Sequence, residues 1–235
     1  MAEGRLYTKV PSVPHTTAYS EDEKCQVLDL AYCGKAAKMI GLIKTIADRE
    51  SLTAGHIAAI TKDHDGASIG HYAARGNSVE SRAALGRALM EFTVGEASVK
   101  TAVTLDKDKN GNSPILEACY VGHTAIIDIL HKNGGSLTSV NLNQDTAAHR
   151  AVLGGSITAL NKLIQLKAPL GKQNKNGATP LHLAVNEEDL DLVDALLATG
   201  LAQMEVKNKQ GMTALDIAEE KELGEIEALL RHYQF

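Results

Sequence analysis

Short apolar runs at helical spacing recur along this chain, separated by polar breaks at a nearly constant interval. Four segments align on a Ser or Thr: Asn110–Ala118, Asn143–Ala151, Asn176–Ala184 and Gln210–Ala218. Ser113, Thr146, Thr179 and Thr213 therefore recur at intervals of 33, 33 and 34 residues. A fixed period of this length is the signature of stacked repeats. The apolar spacing after each Ser or Thr predicts a short helix, followed by a turn such as Gly122-His123 or Gly154-Gly155. A second apolar-periodic run then predicts a second helix: Ala125–Leu130, Ile157–Leu166, Asp191–Leu197 and Ile226–Leu230. Stop signals follow at Asn133-Gly134-Gly135, Ala168-Pro169 and Thr199-Gly200, and a polar hairpin of Asn, Lys and Gly leads to the next unit. The predicted fold class is all-α, a solenoid of helix-turn-helix units joined by hairpin-like loops.

Thr179-Pro180-Leu181-His182-Leu183-Ala184 carries the pattern T-P-L-H-x-A at every fixed position. From about residue 106 to the C-terminus the chain resembles the ankyrin-repeat family. Upstream the pattern decays. Asp65–Gly76 is recognisable but one residue short between His71 and the turn glycine, and the step from Ser68 to Ser113 is 45 residues. Extra residues are therefore expected within Val79–Leu105, with Arg82, Arg87, Met90 and Phe92 on a lengthened helix. Leu30–Gly34 followed by Ala36–Ile46 reads as a degenerate first repeat, with Thr53–Ile60 left over. The expected organisation is a flexible arm over 1–21 and a single array over 22–235. That array holds about six units: irregular over 22–105, regular over 106–207, and a C-terminal cap over 208–235. The charged run of the cap (Glu222, Glu225, Glu227, Arg231) reads as its solvent face. The array is expected to fill the chain and leave no room for a catalytic domain.

Composition narrows the function. The chain is 44% hydrophobic but only 3% aromatic, without Trp, and its net charge is −5. A base-stacking surface needs aromatic platforms and a general nucleic-acid binder carries a basic excess, so nucleic acid is not the expected partner. Cys25, Cys33 and Cys119 form no CxxC and read as unpaired thiols. No run has signal-peptide or membrane-span character, so the expected location is cytoplasmic, with the nucleus as a second compartment. No HExxH, GxSxG, P-loop or GxGxxG is present. Asp63-His64-Asp65 and Asp106–Gly111 superficially suggest metal loops, but both fall at the hairpin positions of the repeat and read better as hairpins. His149 and His182 recur at the motif spacing and read as structural. No enzyme activity, catalytic residue, cofactor, metal or small-molecule substrate is expected.

The resemblance implies a concave face built from hairpin tips and first helices, where partners bind. Its variable positions fall at the tips on Lys107, Lys109, Asn110, Asn112, Leu142, Asn143, Asp145, Lys175, Asn176, Lys207, Lys209 and Gln210. On the first helices they fall on Tyr120, Val121, Leu153 and Asn186. Lys109, Lys175 and Lys209 occupy equivalent tip positions, with Lys107, Lys172 and Lys207 beside them. Stacking would align them as a basic row able to steer an acidic partner. Tyr120, Leu142 and Leu153 are apolar at outward positions and suit a hot spot. The expected function is a monomeric, non-enzymatic scaffold or adaptor that binds a protein, an acidic one if the Lys row is its contact. Two alternatives stand beside it: a binder of polyanions (nucleic acid or lipid head groups) through the Lys row, and a pathogen effector mimicking host ankyrin proteins.

Overall fold

The computed structural model describes residues 19–76, Gly86 and residues 104–234. Most of the expected arm, and most of the insertion with Arg82, Arg87, Met90 and Phe92, lie outside them. Among the described residues the chain forms twelve α-helices and one isolated antiparallel bridge, Lys62 to Ser68. The N-terminal helices are α1 (Glu21–Tyr32), α2 (Ala36–Glu50), α3 (Ala54–Ile60) and α4 (Ile69–Arg75). Four helix pairs follow: α5 (Pro114–Val121) with α6 (Thr124–Lys132), and α7 (Ala147–Leu153) with α8 (Ile157–Gln165). The last two are α9 (Pro180–Asn186) with α10 (Leu190–Ala198), and α11 (Ala214–Glu220) with α12 (Gly224–Tyr233).

The first helices stack in one row, α4 on α5, α5 on α7, α7 on α9 and α9 on α11; the second helices α6, α8, α10 and α12 stack in another. This is the all-α solenoid that the periodicity predicts. The rows close tightly because Ala118, Ala151, Ala184 and Ala218, one per unit, are fully buried between them. Any larger side chain there would overpack. Around them Ile115, Ile127, Leu160, Leu163, Val193 and Leu196 join one continuous core that runs from Ala74 to Leu230. Val27, Met39, Ile43, Ile46 and Ile57 form a second cluster beneath α1 to α4. Two residues of the expected arm, Tyr19 and Ser20, are among the described ones. Tyr19 is buried with its hydroxyl 2.6 Å from Thr61 Oγ1, and Ser20 forms a capping box with Glu23 at the start of α1.

The motif histidines fasten each unit to the next. In His71, His149 and His182, Nδ1 accepts from the backbone N–H of the residue that caps their own helix, Ser68, Thr146 and Thr179. Nε2–H is then left to donate to a carbonyl of the following unit: Asn112 O at 2.8 Å, Ala178 O at 3.0 Å and Met212 O at 3.1 Å. Unit α5–α6 has Leu116 where its neighbours have His. There the cap Ser113 meets Ser139, a loop residue ahead of the next tip, hydroxyl to hydroxyl at 3.3 Å.

Candidate functional site

Each hairpin tip is folded by one side chain lying five residues before the helix-capping Ser or Thr. Asp63, Asp108, Asn141, Asn174 and Asn208 each accept, at Oδ1, backbone N–H groups from residues two and four further on. The tip turns tightly because this carboxylate or amide oxygen stands in for a backbone acceptor. Neighbouring tips are then joined edge to edge. Lys109 N–H donates to Asp65 O, Leu142 to Asn110 O, Lys175 to Asn143 O and Lys209 to Asn176 O, at 2.7 to 3.0 Å. These four bonds fix the spacing of the tips and hence of the side chains they display.

Two residues expected on the partner face also hold this scaffold together. Asn112 and Asp145 are buried, at 4% and 3% exposure. Asn141 Nδ2 donates to Asn112 Oδ1 at 3.1 Å and to Asp145 Oδ2 at 3.2 Å, and Asn174 Nδ2 donates to Asp145 Oδ1 at 2.9 Å. Their position just before the helix cap turns them into the neighbouring tip. Asp63 and Asp65 of the apparent metal trio are likewise engaged: Asp63 folds its tip and binds the Tyr72 hydroxyl, and Asp65 pairs with Lys109 at 2.7 Å. That lysine holds the Asp65 carboxyl below the usual carboxylate range. Among the described residues no group of three or more His, Cys, Asp or Glu side chains is placed to hold a metal ion.

The inner face of the first helices carries a second array. Residues seven past the cap in one unit meet residues four past the cap in the next. Arg75 Nε donates to Glu117 Oε2 at 3.1 Å, and the Arg150 guanidinium stacks on the Tyr120 ring at 4.2 Å. Arg150 also reaches Glu117 Oε1 at 3.4 Å, and Arg75 reaches Asp108 at 3.3 Å. Glu117 is buried between two guanidiniums, which balance its charge. Tyr120 is thereby held in place while remaining 41% exposed.

Against this face lie open grooves. One, of about 450 Å³, is lined by Tyr120, Leu142, Leu153, Asn110, Asn143 and Arg150 among others. Leu142 is the most exposed of these apolar side chains, and Leu153 is half-buried. A second, of about 460 Å³, holds Lys175, Lys207 and Lys209, and no carboxylate lines it. The third and largest, near 710 Å³, runs between α9 and α11 and includes Asn176, Asn186 and Gln210. Val121 is exposed but lines none of these three. The basic row is therefore uneven. Lys109 is answered by Asp65, and Lys107 Nζ is spent on Val140 O at 2.8 Å. Among the described residues no carboxylate pairs with Lys175, Lys207 or Lys209.

Two features escaped the sequence reading, although both were written in it. Asp or Asn stands five residues before every Ser or Thr of the register, and the Arg75–Glu117 and Tyr120–Arg150 pairs share one offset between consecutive units. Cys119 is buried, and burial pushes its thiol up to about 12, whereas Cys25 and Cys33 are exposed. Among the described residues no helix is long and apolar enough to cross a membrane.

Comparison with known proteins agrees with this geometry. Residues 148–234 match the family model for ankyrin repeats in three copies. The chain is 30% identical over 128 residues to the nuclear factor NF-kappa-B p105 subunit of Gallus gallus, covering 53% of this chain and 13% of that protein. It is 34% identical over 108 residues to protein phosphatase 1 regulatory subunit 12A of Mus musculus, covering 46% of this chain and 9% of that protein. A transient receptor potential cation channel subfamily A member 1 homolog of Caenorhabditis elegans is 32% identical over 112 residues, 47% of this chain and 9% of the channel. The chain thus spans about a tenth of the length of these relatives.

Proposed function

We propose that this chain, an ankyrin-repeat protein, is a non-enzymatic adaptor that binds a partner protein along its inner face, with an acidic stretch of the partner lying over the hairpin tips. Ankyrin repeats are protein-interaction modules, and two similar proteins carry names of a nuclear-factor subunit and a phosphatase regulatory subunit. The observation that carries the acidic reading is the groove holding Lys175, Lys207 and Lys209 without a lining carboxylate, on a chain of net charge −5. A local basic strip on an acidic molecule orients an approaching anionic surface and rejects the rest. The exposed thiols of Cys25 and Cys33 suit a reducing compartment, the cytoplasm or nucleus.

The test is affinity capture from cell lysate on two baits, the chain itself and a variant with Lys175, Lys207 and Lys209 changed to Glu, followed by mass spectrometry. The expected result is a partner set present on the first bait, absent on the second, and weakened as salt shortens the screening length from about 10 Å toward 3 Å. Identical partners on both baits would make the lysines a solvated edge only. A set that disappears on nuclease treatment would instead support the polyanion reading.

A further inference from the structure

The geometry points to a partner segment that is extended and carries its recognition residues at a fixed interval: one apolar anchor, with acidic residues three and six positions from it. This rests on the inner face being the binding face. The apolar groove, with Tyr120, Leu142 and Leu153, and the lysine groove, with Lys175, Lys207 and Lys209, are neighbours along the tips. The 142–144 tip joins them: Leu142 and Asn143 line the first groove and Gln144 lines the second. The order along the array is therefore apolar, then basic at the next tip, then basic again at the tip after that.

The ladder of tips sets the interval. Leu142, Lys175 and Lys209 occupy the same position of consecutive tips, each donating its backbone N–H to the preceding tip. Each tip is a hairpin two backbone segments wide, and segments so bonded lie about 4.8 Å apart, so consecutive tips repeat at roughly 10 Å. Packed helices impose much the same spacing, about 8–10 Å, in the row behind. An extended chain in the polyproline II conformation advances about 3.1 Å per residue with three residues per turn, so every third side chain faces the same way. Three residues of an extended segment thus span one repeat. A leucine or phenylalanine seated between Tyr120 and Leu142 brings the third residue along opposite Lys175 and the sixth opposite Lys209. Asn110 and Asn143 border the anchor groove and offer amide groups to the main chain of such a segment. A nucleic acid has no use for this order, since its phosphates are uniform and these two grooves offer a single aromatic ring, Tyr120.

The experiment is selection from a displayed library of random peptides of roughly fifteen residues, long enough to cross three tips. The full chain is the bait, and enriched peptides are re-tested on two folded surface variants, Leu142→Ser and Lys175→Glu/Lys209→Glu. The expected result is a consensus of one large apolar residue with Asp or Glu at the third and sixth positions to one side. Each variant should weaken binding roughly tenfold or more, and circular dichroism of both should match the parent. Peptides that lose binding on the lysine variant but show no anchor or no three-residue interval overturn this inference and leave the inner-face reading standing. Peptides indifferent to both variants overturn both. If no peptide is enriched, the extended-segment occupant is wrong, and the inner-face reading then stands or falls on the lysate capture.

Discussion

At the residue scale the array is held by side chains that satisfy backbone groups across unit boundaries. Asn174 is the fullest case, accepting from Asn176 and Ala178 N–H and donating to Asp145. Asn174→Ala leaves those partners exposed to poorer alternatives and should cost about 1–3 kcal/mol in a denaturant titration. The histidines add a pH dependence. Burial lowers the pKa of His71, His149 and His182 below the ordinary 6.5, only partly offset by the carbonyls they donate to. Their Nδ1 atoms, already accepting a backbone N–H, have no place for a second proton. The unfolded chain takes up protons near pH 6.5 that the folded chain refuses, so stability is complete above that pH and falls as the pH drops through the lowered folded values. The urea midpoint should decline from pH 7 to pH 5, and the decline should be shallower when all three are changed to Gln. An equal decline in both proteins would place the effect elsewhere.

At the element scale the two glycines of one turn separate space from backbone strain. Gly154 has an ordinary φ of −88, yet an added Cβ would lie 1.8 Å from Tyr120 O on the neighbouring helix α5. Gly155 has φ +62 and nothing within 4 Å. Gly155→Ala should cost about 1–2 kcal/mol from the left-handed backbone alone. Gly154→Ala should cost more, about 3 kcal/mol, because the α5–α7 spacing itself must open. Thermal melts of both variants check the order. The helices, their turns and the motif histidines were legible because each follows from a local rule repeated at a fixed period. The burial of Asn112 and Asp145 was not legible because the motif marks them as variable, and variability along a sequence does not distinguish a side chain facing solvent from one facing the adjacent tip. The seating of Tyr19 was not legible for a related reason: its hydroxyl bonds Thr61, a partner 42 residues away that no local pattern announces.

At the scale of the whole molecule, two rows of helices form the rigid back and the tips form an edge that projects from it. The back is uniform, an aliphatic core with one buried Ala per unit, while the edge varies from tip to tip: Lys109 paired with Asp65, then Leu142, then Lys175 and Lys209. Function read from such a molecule lies in the order of these side chains, with Tyr120 and Leu153 of the first helices beside them and the second helices setting the spacing behind. The central claim is that partners dock on the tip and first-helix side and leave the outer helices bare. Its most direct measurement is site-specific photo-crosslinking in lysate, with the reactive residue placed in turn at Leu142, at Lys209, at Gln165 on α8 and at Asp194 on α10. Covalent adducts with the same protein from Leu142 and Lys209, and none from Gln165 or Asp194, are the predicted result. Adducts that form only from Gln165 or Asp194 would contradict it.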